Sequence, residues 1–128
     1  MMHNALISGG NGFLGSYFVE KFVAEKFEVT VVDDLSTFKD RNIPESVKFT
    51  NIKIENYVSN EKYDYVIYLA ARPSPEDHIN HPVDTILFNS IGTFNMLEIA
   101  RKNDSIFMYT SSSEIYGEAG VIPTPESY

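Results

Sequence analysis

Apolar residues fall along the chain in short runs separated by polar and glycine-rich breaks. Ala5 to Ser8 is one such run, closing on Gly9, and beyond the glycines Leu14, Phe18 and Phe22 recur every fourth residue up to Lys26. That pattern predicts a buried strand, a tight turn and a helix. Val29 to Val32 is a second, β-branched run ending at Asp33 and Asp34; the polar stretch from Leu35 to Ser46, with Pro44 inside it, reads as a surface loop. Val47 to Ile54 alternates apolar and polar positions as a half-covered edge strand does, and Tyr65 to Leu69 reads as a fourth strand. A long helix is predicted from Pro82, because proline suits a first helical turn and Val83, Ile86, Leu87, Ile91, Phe94, Leu97 and Ala100 recur in threes and fours. Its apolar stripe is expected to face a sheet. Ser105 to Tyr109 makes a fifth strand, and Thr110 to Tyr128, with Gly117, Gly120, Pro123 and Pro125, reads as loop.

Strands buried on both sides and alternating with helices predict an α/β fold, a doubly wound parallel sheet of about five strands in the order 3-2-1-4-5. A length of 128 residues suits one domain spanning residues 1–128. With 43% apolar and 22% charged residues the chain has the composition of a folded protein. Ten Lys and Arg against 18 Asp and Glu leave a formal charge of −8, which repels phosphate polyanions and anionic lipid, so nucleic acid and membranes are not the expected partners. The absence of Cys removes disulfides, thiolate nucleophiles and cysteine zinc sites. No apolar window approaches the ~20 residues of a membrane helix, and Met1 to Ile7 has no basic segment leading a long apolar run, so a cytoplasmic location is expected. His3, His78 and His81 share no metal-ligand spacing with carboxylates on one element, so no metal is expected, and His81 before Pro82 reads as a helix-entry residue.

The chemistry enters at Gly9-Gly10-Asn11-Gly12-Phe13-Leu14-Gly15, which follows the first strand and opens the first helix. Gly9 permits a sharp turn, Gly12 lets backbone approach a pyrophosphate, and Gly15 lets helix pack closely on strand. The helix N-terminus then offers free N–H groups to an anion over Phe13 and Leu14. A turn of this kind also occurs for purely structural reasons. Its partner is Asp33, at the end of the second strand and 18 residues beyond Gly15, where a dinucleotide fold places a carboxylate on the adenosine ribose hydroxyls. That carboxylate would repel a 2′-phosphate and so favours NAD, while Arg41 in the following loop keeps NADP open. Arg72, just after the fourth strand, either meets a diphosphate or sits at a solvated rim.

Four segments together resemble the extended branch of the short-chain dehydrogenase/reductase family, which includes UDP-glucose 4-epimerases, nucleotide-sugar 4,6-dehydratases and UDP-glucuronate decarboxylases. They are Gly9 to Gly15, Tyr68-Leu69-Ala70-Ala71, Asn89-Ser90-Ile91-Gly92-Thr93, and Tyr109-Thr110-Ser111-Ser112-Ser113-Glu114-Ile115-Tyr116-Gly117. The resemblance implies a Rossmann-type NAD-binding domain. It implies further that Leu69, Ala70 and Ala71 pass under the nicotinamide half of the cofactor, that Asn89 lies near it, and that Asn51 and Ile52 stand beside the adenine. From the residues alone, Leu69 to Ala71 reads equally as strand core, and Asn89 as part of a solvated polar face. Gly92 in a helix interior costs about 1 kcal/mol, so it asks for a reason.

In the resembling family, NAD takes a hydride from C4 of the sugar while the Tyr of a Tyr-x-x-x-Lys pair takes the hydroxyl proton. The family's Ser or Thr on the same oxygen corresponds here to Ser112, the expected catalytic residue, with Glu114 at the position of the dehydratase base. Ser113 stands where thymidine-nucleotide sugar dehydratases carry an acid. The resemblance therefore ranks epimerase first, decarboxylase second and dehydratase third, with a UDP-sugar as the expected substrate and a homodimer as an expected assembly. A non-catalytic nucleotide-binding module is the reading from another class. The Tyr-x-x-x-Lys pair is expected some tens of residues beyond Tyr128, so the chain alone is expected to be inactive; Tyr17 and Lys21 match its letters only and read as packing and surface residues of the first helix.

Overall fold

The computed structural model of the chain describes residues 3–71 and 74–128. Five strands, β1 (Asn4–Ser8), β2 (Glu28–Asp33), β3 (Lys48–Asn51), β4 (Tyr65–Tyr68) and β5 (Ile106–Tyr109), form one parallel sheet in the order β3-β2-β1-β4-β5. The expected order is the observed one. Ala5, Leu6 and Ile7 of the central strand are fully buried, which is what a strand covered on both faces requires. Successive side chains point to opposite faces. Leu6, Val66 and Tyr68 accordingly pack with Phe88, Met96 and Ile99 of the long helix α3 (Pro82–Asn103), while Ile7, Val31 and Ile67 pack with Val19 of α1 (Phe13–Ala24).

Three elements besides α3 depart from the sequence expectation. The third strand is shorter: after Asn51 the apolar alternation continues into a 3-10 turn, Ile54–Asn56, with Ile54 buried. This turn carries the crossover from the edge strand β3 to β4. Asn95 of α3 pins it by donating its Nδ2 to the carbonyls of Ile54 (3.2 Å) and Glu55 (2.8 Å). A short helix, α2 (Pro75–Asn80), precedes α3 where no element was expected. In the C-terminal stretch, Ser113–Tyr116 forms a 3-10 turn.

The largest correction concerns α3. Pro82 opens it as expected, with His81 at the N-cap, but its predicted apolar stripe does not face the sheet. Val83, Ile86, Leu87, Ile91, Phe94 and Leu97 are exposed, and of that set Ala100 alone is buried. The buried face is Thr85, Phe88, Gly92, Met96, Ile99 and Ala100. Apolar residues occupy two faces of this helix, so both stripes recur in threes and fours, and periodicity alone does not say which one meets the sheet. Packing also explains Gly92: a Cβ there would lie 2.7 Å from Ile54 Cγ2 and 2.9 Å from Tyr68 Oη. The glycine lets the helix settle on the crossover turn and on β4.

Candidate functional site

The parallel register aligns the carboxyl ends of the strands. Asp33 sits opposite Asn51, Ser8 opposite Val32 and Tyr68, and Tyr68 opposite Tyr109. In such a sheet ligands lie beyond these ends, where connections diverge to opposite faces. Here β1 leads into α1 on one face, while β4 leads toward α3 on the other.

At that point the chain forms an open cleft. Gly9, Gly12, Asp33, Ile52, Leu69, Ala70 and Ala71, all expected at a cofactor site, line it. Gly9 has φ +71°, and a Cβ on it would come within 2.8 Å of the Leu69–Ala70 backbone; a Cβ on Gly15 would sit 2.0 Å from the Gly9 carbonyl oxygen. No side chain larger than hydrogen fits at either place. Phe13, Leu14 and Gly15 form the first turn of α1, whose leading amides have no carbonyl partner within the helix. That turn carries no acidic residue, so nothing there opposes an anion.

Asp33 accepts a hydrogen bond from the amide of Asn11 at Oδ2 (3.0 Å) and from that of Leu35 at Oδ1 (2.8 Å). Two amides orient the carboxylate, and each oxygen keeps a lone pair for a hydroxyl. Arg41 points its guanidinium elsewhere. It donates to the carbonyls of Pro44 (3.0 Å) and Val47 (2.8 Å) and stacks on Phe49, 5.2 Å from the ring centre. It does not line the cleft. Arg72 lies outside the described residues.

The other expected residues do not line the cleft. Asn51 is exposed at the end of β3 and Asn89 is half-buried on α3. Ser112 and Glu114 are exposed on the loop after β5, where the Ser112 hydroxyl accepts the Glu114 amide at 3.3 Å and caps the 3-10 turn. This loop starts beside β4, because the Thr110 hydroxyl donates to the Tyr68 carbonyl at 3.2 Å. Tyr68 stacks on Tyr109, with ring centres 5.5 Å apart. It donates its hydroxyl to the Phe88 carbonyl at 3.2 Å, and burial pushes its phenol up to about 12. Tyr17 is exposed on α1, and Lys21 pairs with Glu25.

Sequence reasoning missed the part of the cleft wall supplied by Asp34, Ser36, Thr37 and Phe38, and the contributions of Ile54 and Phe88. A non-glycine residue inside the turn, Asn11, was the available signal: its side chain is buried and holds that loop. Among the described residues no group of three His, Asp or Glu is placed to hold a metal ion, and no helix is long and apolar enough to cross a membrane.

The model of the NAD dependent epimerase/dehydratase family matches residues 5–128. UDP-glucuronic acid decarboxylase 1 of Xenopus tropicalis is 35% identical over 96% of this chain and 30% of its own length. A crystal structure of a UDP-galactose 4-epimerase superposes with a TM-score of 0.85 at 36% identity, covering 96% of this chain and 43% of that one. The UDP-glucose 4-epimerase of Thermotoga maritima, solved with UDP-glucose, gives 0.88 at 34% identity over 97% and 43%. The chain thus spans less than half the length of these relatives.

Proposed function

The chain belongs to the NAD-dependent epimerase/dehydratase family, and on that premise we propose that it is the NAD-binding part of a nucleotide-sugar 4-epimerase acting on a UDP-sugar. The observation that carries this reading is the cleft at the carboxyl ends of β1, β2 and β4, where the glycine turn, the oriented Asp33 carboxylate and Leu69 to Ala71 meet. NAD, when bound, supplies the hydride acceptor for C4 of the sugar. The rest is the work of the chain's own groups. The first-turn amides at Phe13, Leu14 and Gly15 would hold the diphosphate. Asp33 would take the ribose hydroxyls, and with Arg41 engaged elsewhere no Lys or Arg among the described residues lines the cleft to meet a 2′-phosphate. Asn51 would stand beside the adenine, Asn89 near the nicotinamide half, and Ser112 on the C4 oxygen, with Glu114 beside it.

A decarboxylase acting on UDP-glucuronate is the second reading, favoured by the 35% identity with the Xenopus tropicalis enzyme. Both readings place the protein in the cytoplasm, residues 1–128 as a dinucleotide-binding domain, the complete enzyme as a homodimer, and the chain by itself as inactive. The test has two stages. Titration of the chain with NAD and NADP should show tighter NAD binding; equal or tighter NADP binding would overturn the cofactor assignment. In the complete enzyme, UDP-glucose and UDP-glucuronate are offered separately: interconversion with UDP-galactose supports the first reading, and carbon dioxide release the second. Ser112→Ala in that enzyme should lower kcat by about 10²-fold, the usual cost of one donor to a developing oxyanion, at unchanged NAD affinity.

A further inference from the structure

The loop from Asp34 to Ser46 contains no strand or helix, yet it supplies one wall of the cleft through Ser36, Thr37 and Phe38. One buried side chain ties its middle to the glycine turn. Asn11, 1% exposed inside the glycine turn, donates its Nδ2 to the carbonyls of Phe38 (3.2 Å) and Asp40 (3.0 Å), and its Oδ1 accepts the amide of Asn42 (2.7 Å). Its own amide meanwhile donates to Asp33 (3.0 Å). One residue therefore fixes both the ribose carboxylate and three points of the loop, with both amide hydrogens of its side chain used. The loop so held carries Phe38, an aromatic ring left 46% exposed and lining the cleft. Among the described residues Phe38 stacks on no other ring, whereas the nearby Arg41 lies over the Phe49 ring.

We propose that Asn11 is a positioning residue that clamps the 36–42 loop to the glycine turn and so presents Phe38 as an aromatic wall for the adenine of the dinucleotide. The inference rests on the reading of this cleft as an NAD site. A wall ordered before the ligand arrives does not have to be ordered by it, and this raises affinity. A half-exposed ring at the mouth of a nucleotide cleft gains by stacking on a base.

The test is a double-mutant cycle on the 128-residue chain with Phe38→Ala, Asn11→Ala and the pair, titrated calorimetrically with NAD, ADP-ribose and nicotinamide mononucleotide. Phe38→Ala, at an exposed position, should leave the melting temperature unchanged and weaken NAD and ADP-ribose about tenfold, the usual scale for one lost base stack, with nicotinamide mononucleotide unaffected. Asn11→Ala should weaken the same two ligands at least as much and speed hydrogen exchange at the 36–42 amides. Because Asn11 acts through Phe38, the pair should bind no more than about twofold worse than Asn11→Ala alone. Should Asn11→Ala fail to fold, Asn11→Ser, which keeps one donor, completes the cycle. Unchanged ADP-ribose affinity in Phe38→Ala, or additive losses in the pair, would overturn the proposal while leaving the NAD reading intact. A wild-type chain that binds neither NAD nor ADP-ribose would overturn both.

Discussion

The two flanks of the sheet are finished to different degrees. On the β3-β2-β1 side, α1 covers its face and the glycine turn, Asp33 and the clamped loop leave a formed cleft. On the β4-β5 side, α3 buries one stripe and leaves Val83, Ile86, Phe94 and Leu97 open to solvent, and Ile106, Met108 and Tyr109 of the edge strand are exposed as well. Exposed apolar residues on this scale mark surface that a neighbour ordinarily covers. On the proposed reading, binding and chemistry are divided between this cleft and the loop after β5. The groups that would hold a dinucleotide meet in a cleft that Leu69 to Ala71 and Phe88 complete from the β4 side, while the groups that would act on a sugar, Ser112 and Glu114, stand on an exposed loop.

The contrast is sharpest within α3, where one helix carries both surfaces. Met96 is fully buried against β4 and the crossover turn. Met96→Ala should cost about 2–5 kcal/mol in denaturant unfolding, the usual range for such a truncation in a core; a loss below about 1 kcal/mol would mean that this flank, too, is loosely packed. On the finished flank, Asp33→Ala should weaken NAD by about 1–3 kcal/mol, the scale of hydrogen bonds to a charged group, and should flatten the preference over NADP. Ser112→Ala in the same titration should leave NAD affinity unchanged, since the exposed loop does not line the cleft. Equal losses in these two variants would break the division between cleft and loop.

Alkali probes the buried stripe from another direction. Burial pushes Tyr68 up to about 12 and raises Tyr63 as well, against about 10 for a tyrosine in an unfolded chain. The fold favours the neutral phenols, so their contribution is fully present below pH ~10 and is lost as pH rises through the folded values. Unfolding midpoints should therefore fall between about pH 10 and pH 12, and Tyr68→Phe should flatten part of that fall; an identical slope in the variant would show that Tyr68 titrates freely. The smallest effect is expected on the open face: Phe94→Ala, at 63% exposure, should change stability by no more than about 0.5 kcal/mol. A larger loss would mean that Phe94 is covered in solution.

Much of the site was legible in the residues because its requirements are local. Gly9 is dictated by the positive φ of its turn and Gly15 by its approach to the Gly9 carbonyl six residues earlier, and Asp33 is marked by its place at a strand end. The loop wall was not legible. Phe38 sits in a polar stretch with no periodicity, and its place depends on Asn11, 27 residues earlier in the chain. Nor was the reason for Gly92, which depends on Ile54 and Tyr68 arriving against the helix from two other elements.

By itself, the sequence determined the number, kind and order of the strands and the position of the glycine turn. Periods of two and of three to four residues, like the φ a glycine allows, are set by neighbours along the chain. Tertiary structure alone decided which of two apolar stripes on α3 meets the sheet, where the third strand gives way to the crossover turn, and which carbonyls Asn11 holds. Each of these depends on surfaces brought together from distant parts of the chain, and a helix with two apolar faces offers the sheet two choices that only the shape of the neighbouring elements resolves.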